Sequence, residues 1–273
     1  LEDEVVGSQA VELFSDARKM LDEIVSKKLL TAKAVVGLWP ANAVGDDIEI
    51  YDPAQPGVLL GTMCSLRQQG SKARGRPNLA LGDFIAPKDT GLTDHVGGFA
   101  VTTGIGLDEM VARYDADHDD YSSIMAKALA DRLAEAFAEH MHRKVRKEIW
   151  GYVPHENLDN DALIRESYRG IRPAPGYPAC PDHTEKGKLF EILEATSRTS
   201  IRLTESFAML PTASVSGLYF AHPKAAYFGV GKISRDQVED YAERKGVDVR
   251  FMEKWLAPNL AYDPNEAALS QAS

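Results

Sequence analysis

The chain has 273 residues, 44% hydrophobic and 26% charged, with 31 Lys and Arg against 41 Asp and Glu for a net charge of −10. This is globular composition and excludes collagen, low-complexity disorder and a disulfide scaffold. The acidic balance argues against general binding to nucleic acid or anionic lipid, both of which need a positive field.

No apolar run approaches the roughly 18 residues of a membrane span. Cys64 and Cys180 stand far apart, outside any metal-ligand spacing, and read as reduced thiols of a cytoplasmic protein. The first residue is Leu1, as expected of a piece of a longer protein.

In chain order, Val11 to Leu30 carries Leu13, Phe14, Ala17, Met20, Leu21, Ile24 and Val25 at helical spacing. Ala34 to Trp39 predicts a strand closed by Pro40. Gly45-Asp46 predicts a turn, and Ile48 to Tyr51 and Val58 to Met63 two further strands in antiparallel pairing. Gln68 to Asn78 (QQGSKARGRPN) is a polar, basic, mobile loop, and Ala80 to Ala86 and Gly98 to Thr103 again look like strands. Ser122 to Trp150 is the strongest element. Leu129, Leu133, Phe137, Met141, Val145 and Ile149 recur every four residues, with alanines at 126, 128, 130, 134, 136 and 138 packing the other side. Asp182-x-x-Glu185 and Ser234-x-x-Gln237 resemble capping boxes. Val215 to Phe220 and Tyr227 to Val230 read as paired strands, Gly246 as a helix stop and Pro258 as another. Helices and strands alternate without βαβ rhythm, which predicts α+β. The division is an N-terminal helical segment over about 1–33, a core over 34–262 and a loose tail over 263–273.

Standard catalytic signals fail. Gly104-Ile105-Gly106 lacks the third glycine of a dinucleotide site, Gly231-Lys232 lacks a P-loop, and no GxSxG occurs. His140 and His142, two apart on a helix, do not share a face for a metal and read as surface or packing residues. His118-Asp119-Asp120 reads as a helix cap.

Arg172-Pro173-Ala174-Pro175-Gly176-Tyr177-Pro178 is different. Three prolines stiffen it, Gly176 permits positive φ, and the loop holds one guanidinium and one phenol at a set separation. Arg172 suits a carboxylate; a structural turn with an Arg ion pair is the alternative. On the long helix, Lys127, Asp131, Glu135, Glu139 and Arg143 lie four apart, and Glu135 is left between two acids. It either awaits a cation or belongs to a solvated face. Asp83 is a lone acid in an apolar run, which needs a donor or positive charge if buried, or else marks a strand-end turn. A ligand with a carboxylate and a positive charge answers all three; an amino acid qualifies, and so does S-adenosylmethionine (AdoMet).

The segments GIRPAPGYPACPDH (Gly170 to His183), Thr184-Glu185-Lys186, LTESFA (Leu203 to Ala208), SVSGLYF (Ser214 to Phe220) and WLAPNL (Trp255 to Leu260) together resemble the C-terminal activation domain of cobalamin-dependent methionine synthase. VGLWP (Val36 to Pro40), DFIAP (Asp83 to Pro87) and Ala126 to Ala138 add to the resemblance, which runs from about Val35 to Tyr262. It implies a C-shaped, single α+β domain with a twisted antiparallel sheet, flanking helices and one long central helix. It also implies AdoMet binding, with Arg172 on the carboxylate, Asp83 and Glu135 at the amino and sulfonium end, Ala174 and Gly176 offering backbone groups, and Tyr177, Tyr227 and Phe228 at the ligand. The implied task is to present the AdoMet methyl group to oxidised cobalamin while an external reductant supplies an electron. The reactive centre belongs to the cofactor, so no catalytic side chain and no metal ligand is expected here. Cobalamin would be carried by a partner domain of the same polypeptide and zinc by the parent protein only. DxHxxG, the cobalamin signature, does not occur. The alternatives are a stand-alone methyltransferase, for which Cys180 is the one nucleophile candidate, and a ligand-free scaffold. Two basic clusters, Arg67/Lys72/Arg74/Arg76 and Arg143/Lys144/Arg146/Lys147, are either solvated charge or, in one of the two, the docking surface for an acidic flavodoxin-like or reductase electron donor.

Overall fold

The computed structural model describes residues 6–265, so the expected tail lies outside the described residues from 266 onward. In order come α1 (Val6–Lys27), β1 (Thr31–Val44), β2 (Asp47–Tyr51), β3 (Leu59–Met63), β4 (Asp94–Ile105), α2 (Leu107–Ala116) and α3 (Asp120–Lys144). Then follow α4 (Asn160–Ile164), α5 (Glu185–Leu193), α6 (Ala195–Thr199), β5 (Arg202–Leu203), β6 (Met209–Leu210), β7 (Ser214–Tyr219), α7 (Arg235–Lys245) and α8 (Val249–Trp255). Five strands form one sheet in the order β3-β2-β1-β4-β7, and β5 pairs with β6. The protein is α+β, with α3 its long helix. Among the described residues no helix is long and apolar enough to cross a membrane.

The chain divides into two compact units. The first takes Leu1–Val35, Ala100–Met141 and Ala195–Val215. Its core joins Met20 and Ile24 of α1, Leu107 and Met110 of α2, Met125, Ala126, Ala130 and Ala134 of α3, and Ala213. Here α3 corrects the sequence reading. The row in contact is the small one: Ala126, Ala130, Ala134 and Ala138 are at most 1% exposed, while Leu129, Leu133 and Phe137 are only half-buried. Alanines let a neighbouring backbone approach closely, and Thr103 of β4 donates its hydroxyl to the Ala130 carbonyl at 2.8 Å. Asp119 caps α3 by accepting from the Ser122 amide at 2.9 Å, as expected of that acidic triplet.

The second unit takes Val36–Phe99, His142–Glu194 and Ser216–Ser273. β1 and β2 form an antiparallel hairpin, Ala41 opposite Ile50 to Val44 opposite Asp47, around Gly45-Asp46. Gly45 has φ +60°, which a two-residue turn of this kind requires. Pro40 does not close β1. Pairing with β2 begins only at Ala41, so the missing proline N–H breaks no bond of that ladder. The core of this unit gathers Leu66, Val230, Ile233, Tyr241, Met252 and Leu256.

Three other expectations fail locally. The segment 80–86 is a short 3₁₀ turn, Leu81–Phe84, because the Asp83 carboxylate accepts from the Ala80 amide at 2.9 Å and closes the chain on itself. The segment 227–230 is irregular rather than a strand, and its Val230 amide bonds to the Pro178 carbonyl at 2.8 Å. Neither capping box forms. Asp182 caps Thr184 instead (both bonds 2.8 Å), and Gln237 brackets the Arg67 backbone, accepting from its amide at 2.6 Å and donating to its carbonyl at 2.9 Å.

Candidate functional site

The proline-framed loop lies wholly in the second unit. It enters as an extra strand on the end of β7: Ile171 and Phe220 exchange two backbone bonds of 3.1 and 3.0 Å, and the Leu218 amide reaches the Pro173 carbonyl at 2.9 Å. Two turns follow. The Tyr177 amide bonds to the Ala174 carbonyl at 3.1 Å across Pro175-Gly176, and the Cys180 amide to the Tyr177 carbonyl at 2.9 Å. Proline then glycine at the two central positions is the type II pattern, and Gly176 has the positive φ it needs, +94°. A Cβ at Gly176 would also stand 2.2 Å from the His183 ring. Glycine is thus required there both for its dihedral and for its lack of volume. The turns lift Tyr177 out of the surface, 60% exposed.

The loop exit is anchored by a buried ionic cluster. The Lys245 ammonium meets Asp182 at 2.7 Å and Thr184 at 2.9 Å and also bonds Glu185. The Tyr241 hydroxyl donates to Asp182 at 3.0 Å, and Glu185 accepts from the Cys64 amide at 2.9 Å. Burial pushes the Glu185 carboxyl above its ordinary range despite Lys245. Burial likewise raises both thiols, Cys64 to about 12 and Cys180 well above its usual value. A buried thiol kept protonated is no nucleophile, so Cys180 packs the loop rather than accepting a methyl group.

Arg172 is fixed at both ends. Its amide donates to the Tyr227 hydroxyl at 3.0 Å. Its guanidinium Nη1 donates to the Tyr168 hydroxyl at 2.8 Å and lies 3.2 Å from His142 Nδ1. Sequence reasoning missed His142 and Tyr168. The available signal was the alanine row: continued in steps of four from Ala138, it reaches His142 and then Arg146, both fully buried. His142 is therefore not a surface residue. Burial, with the Arg146 and Arg172 charges beside it, pushes its pKa down to about 2 and keeps the imidazole neutral.

Phe228 joins this neighbourhood through rings. Phe84 packs against Phe228, Phe220 and His222 at centroid distances of 6.3, 6.2 and 6.1 Å. That places Asp83, next in chain to Phe84, on the same flank. Its oxygens, however, are engaged: Arg67 donates to them at 2.7 and 2.8 Å, and also to Asp46 at 2.6 and 2.8 Å. Partial burial raises the Asp83 pKa, but the Arg67 bonds and the Ala80 amide outweigh it and hold the carboxyl below its ordinary value. The structure therefore brings together Arg172, Ala174, Gly176, Tyr177, Tyr227 and Phe228. Glu135 belongs to the first unit, exposed on α3.

Both expected basic clusters lose a member. Arg67 is committed to Asp46 and Asp83. Arg146 is buried, bonded by both nitrogens Nε and Nη2 to Glu156, with its guanidinium 4.2 Å from the Tyr168 ring centroid.

Residues 1–246 match the family described as vitamin B12 dependent methionine synthase, activation domain. The chain is also similar to the crystal structure of the MetH reactivation domain bound to AdoHcy. The two share 58% identity and a TM-score of 0.93, covering 96% of this chain and 81% of that one.

Proposed function

Because the chain belongs to the family of the activation domain of vitamin B12-dependent methionine synthase, we propose that it binds AdoMet on the Arg172–Tyr177 loop and presents the sulfonium methyl group to cobalamin. The observation that carries this reading is the Arg172 guanidinium, held at amide and side chain on a stiff loop whose next aromatic, Tyr177, stands out into solvent. The relative crystallised with AdoHcy, which is AdoMet without its methyl group, supports the ligand class.

Arg172 takes the ligand carboxylate through charge-assisted bonds. Ala174 serves through its N–H, since its carbonyl closes the first turn, and Gly176 lets the backbone come close. Tyr177, Tyr227 and Phe228 supply aromatic surface. Asp83 is assigned to hold Arg67 rather than to touch the ligand, because Arg67 and the Ala80 amide already occupy its oxygens. Cobalamin, carried by another domain of the parent enzyme, supplies the cobalt that accepts the methyl group, with an electron from an external donor. The task of this chain is positional: to aim the methyl group, exclude water and release the thioether product. An acidic flavodoxin-like donor would meet exposed cations, of which Lys72, Arg74 and Arg76 remain on the 68–78 loop. Titration calorimetry with AdoMet and AdoHcy tests the reading. One site for each is expected, and no heat with either ligand overturns it. Methyl transfer from AdoMet to a small acceptor without cobalamin would favour a stand-alone methyltransferase instead.

A further inference from the structure

We propose that His142, through its neutral imidazole Nδ1, acts with the Tyr168 hydroxyl as a positioning residue that sets the Arg172 guanidinium for the ligand carboxylate; this rests on the AdoMet reading above. The argument starts from donor and acceptor chemistry. A guanidinium only donates. With Nη1 3.2 Å away, Nδ1 must be the acceptor, so the imidazole proton sits on Nε2. Nε2 is buried and has no hydrogen-bond partner among the described residues. Leaving a buried donor unsatisfied is costly, and a core chosen only for packing would take a phenylalanine at 142. The retained imidazole is explained by what its other nitrogen holds.

Two struts converge on Arg172 Nη1. In the first, Phe99 stacks on Tyr219 at 4.6 Å, and Tyr219 stacks on His142 at 5.1 Å and 14°, so the ring cannot swing. In the second, Glu156 grips Arg146, whose guanidinium lies against the Tyr168 ring, and the Tyr168 hydroxyl accepts from Arg172. The Tyr168 ring also meets His142 edge-on at 5.0 Å and 83°, which ties the struts together. An arginine side chain loses much rotamer freedom on binding a ligand. Here that ordering is done in the fold.

The test compares AdoMet with decarboxylated AdoMet, which lacks only the group Arg172 takes. Calorimetry is run on the parent, Arg172→Ala, His142→Phe and Tyr168→Phe, with thermal unfolding as a check. The parent should prefer AdoMet, and Arg172→Ala should abolish the preference. His142→Phe and Tyr168→Phe should each reduce it about tenfold, with affinity for the decarboxylated ligand kept within about twofold. An unchanged preference in both variants, or equal losses for both ligands, overturns the proposal, since a merely structural role gives the latter. Should His142→Phe fail to fold, Tyr168→Phe, which loses one oxygen, decides alone. If the parent binds neither ligand, the AdoMet reading falls. The positioning claim is then judged by ¹⁵N relaxation of Arg172 Nε: loosening in Tyr168→Phe supports it, and unchanged order overturns it.

Discussion

Arg67 and Arg172 are both half-buried guanidiniums of the second unit, and they are held in opposite ways. Arg67 sits between two carboxylates, Asp46 and Asp83, which lock its direction and cancel its charge together. The Nη1 of Arg172 is received by a neutral imidazole and a phenol, which lock its direction and add no charge of their own. The first arrangement builds a loop base; the second suits a group that must meet an anion. Arg146 is the limiting case of the first kind, fully buried with Glu156 as its anion.

The largest effect should come from that limiting case. Glu156→Gln removes the carboxylate charge paired with a fully buried guanidinium and should lose about 3–5 kcal/mol in denaturant unfolding. A loss below about 1 kcal/mol would mean that Arg146 is not held by charge. Next, Arg172→Ala should weaken AdoMet binding by ~2–4 kcal/mol in calorimetry, with under about 1 kcal/mol lost from the fold.

Third is a pH effect. The folded His142 titrates at about 2 and the unfolded chain near its ordinary value, so the unfolded state binds more protons below that value. The contribution of neutral His142 is full above about pH 6.5 and falls by roughly 2 kcal/mol by about pH 5. Glu185, raised by burial, acts in the opposite sense, and Asp83 acts in the same sense only near its own lower range. Comparing parent with His142→Phe in urea melts at both pH values isolates the histidine share; identical slopes would remove it.

The smallest effect separates the two guanidiniums most sharply. Asp83→Asn should cost about 1 kcal/mol of stability, because the pair is a third exposed. AdoMet affinity should change by less than about twofold. A loss of tenfold or more would return Asp83 to the ligand.

What the sequence disclosed follows the range of the forces involved. Helix α3, its Asp119 cap and the Gly45-Asp46 hairpin are set by neighbours within a few positions, and all were legible. The proline loop was legible because proline and glycine act on their own dihedrals. Its supports were not. Tyr168 and His142 reach Arg172 across 4 and 30 positions with no shared helical face, and Arg67 reaches Asp83 across 16. The Asp83–Ala80 bond turned an apolar run into a 3₁₀ turn, and the long-range bonds of Arg67 withdrew it from a cluster that looked like open surface. The apparent capping boxes failed for the same reason: Glu185 and Gln237 were claimed by partners more than a hundred residues away.

The way the 170–181 segment is seated bears on its portability. Grafted alone onto another scaffold, it would keep its prolines and lose what aims it: the Phe220 strand end, the Tyr227 hydroxyl and the His183 ring under Gly176. A transplant that preserves recognition would have to carry those three props with the loop, so the smallest heritable unit of this recognition element is a discontinuous patch rather than a peptide.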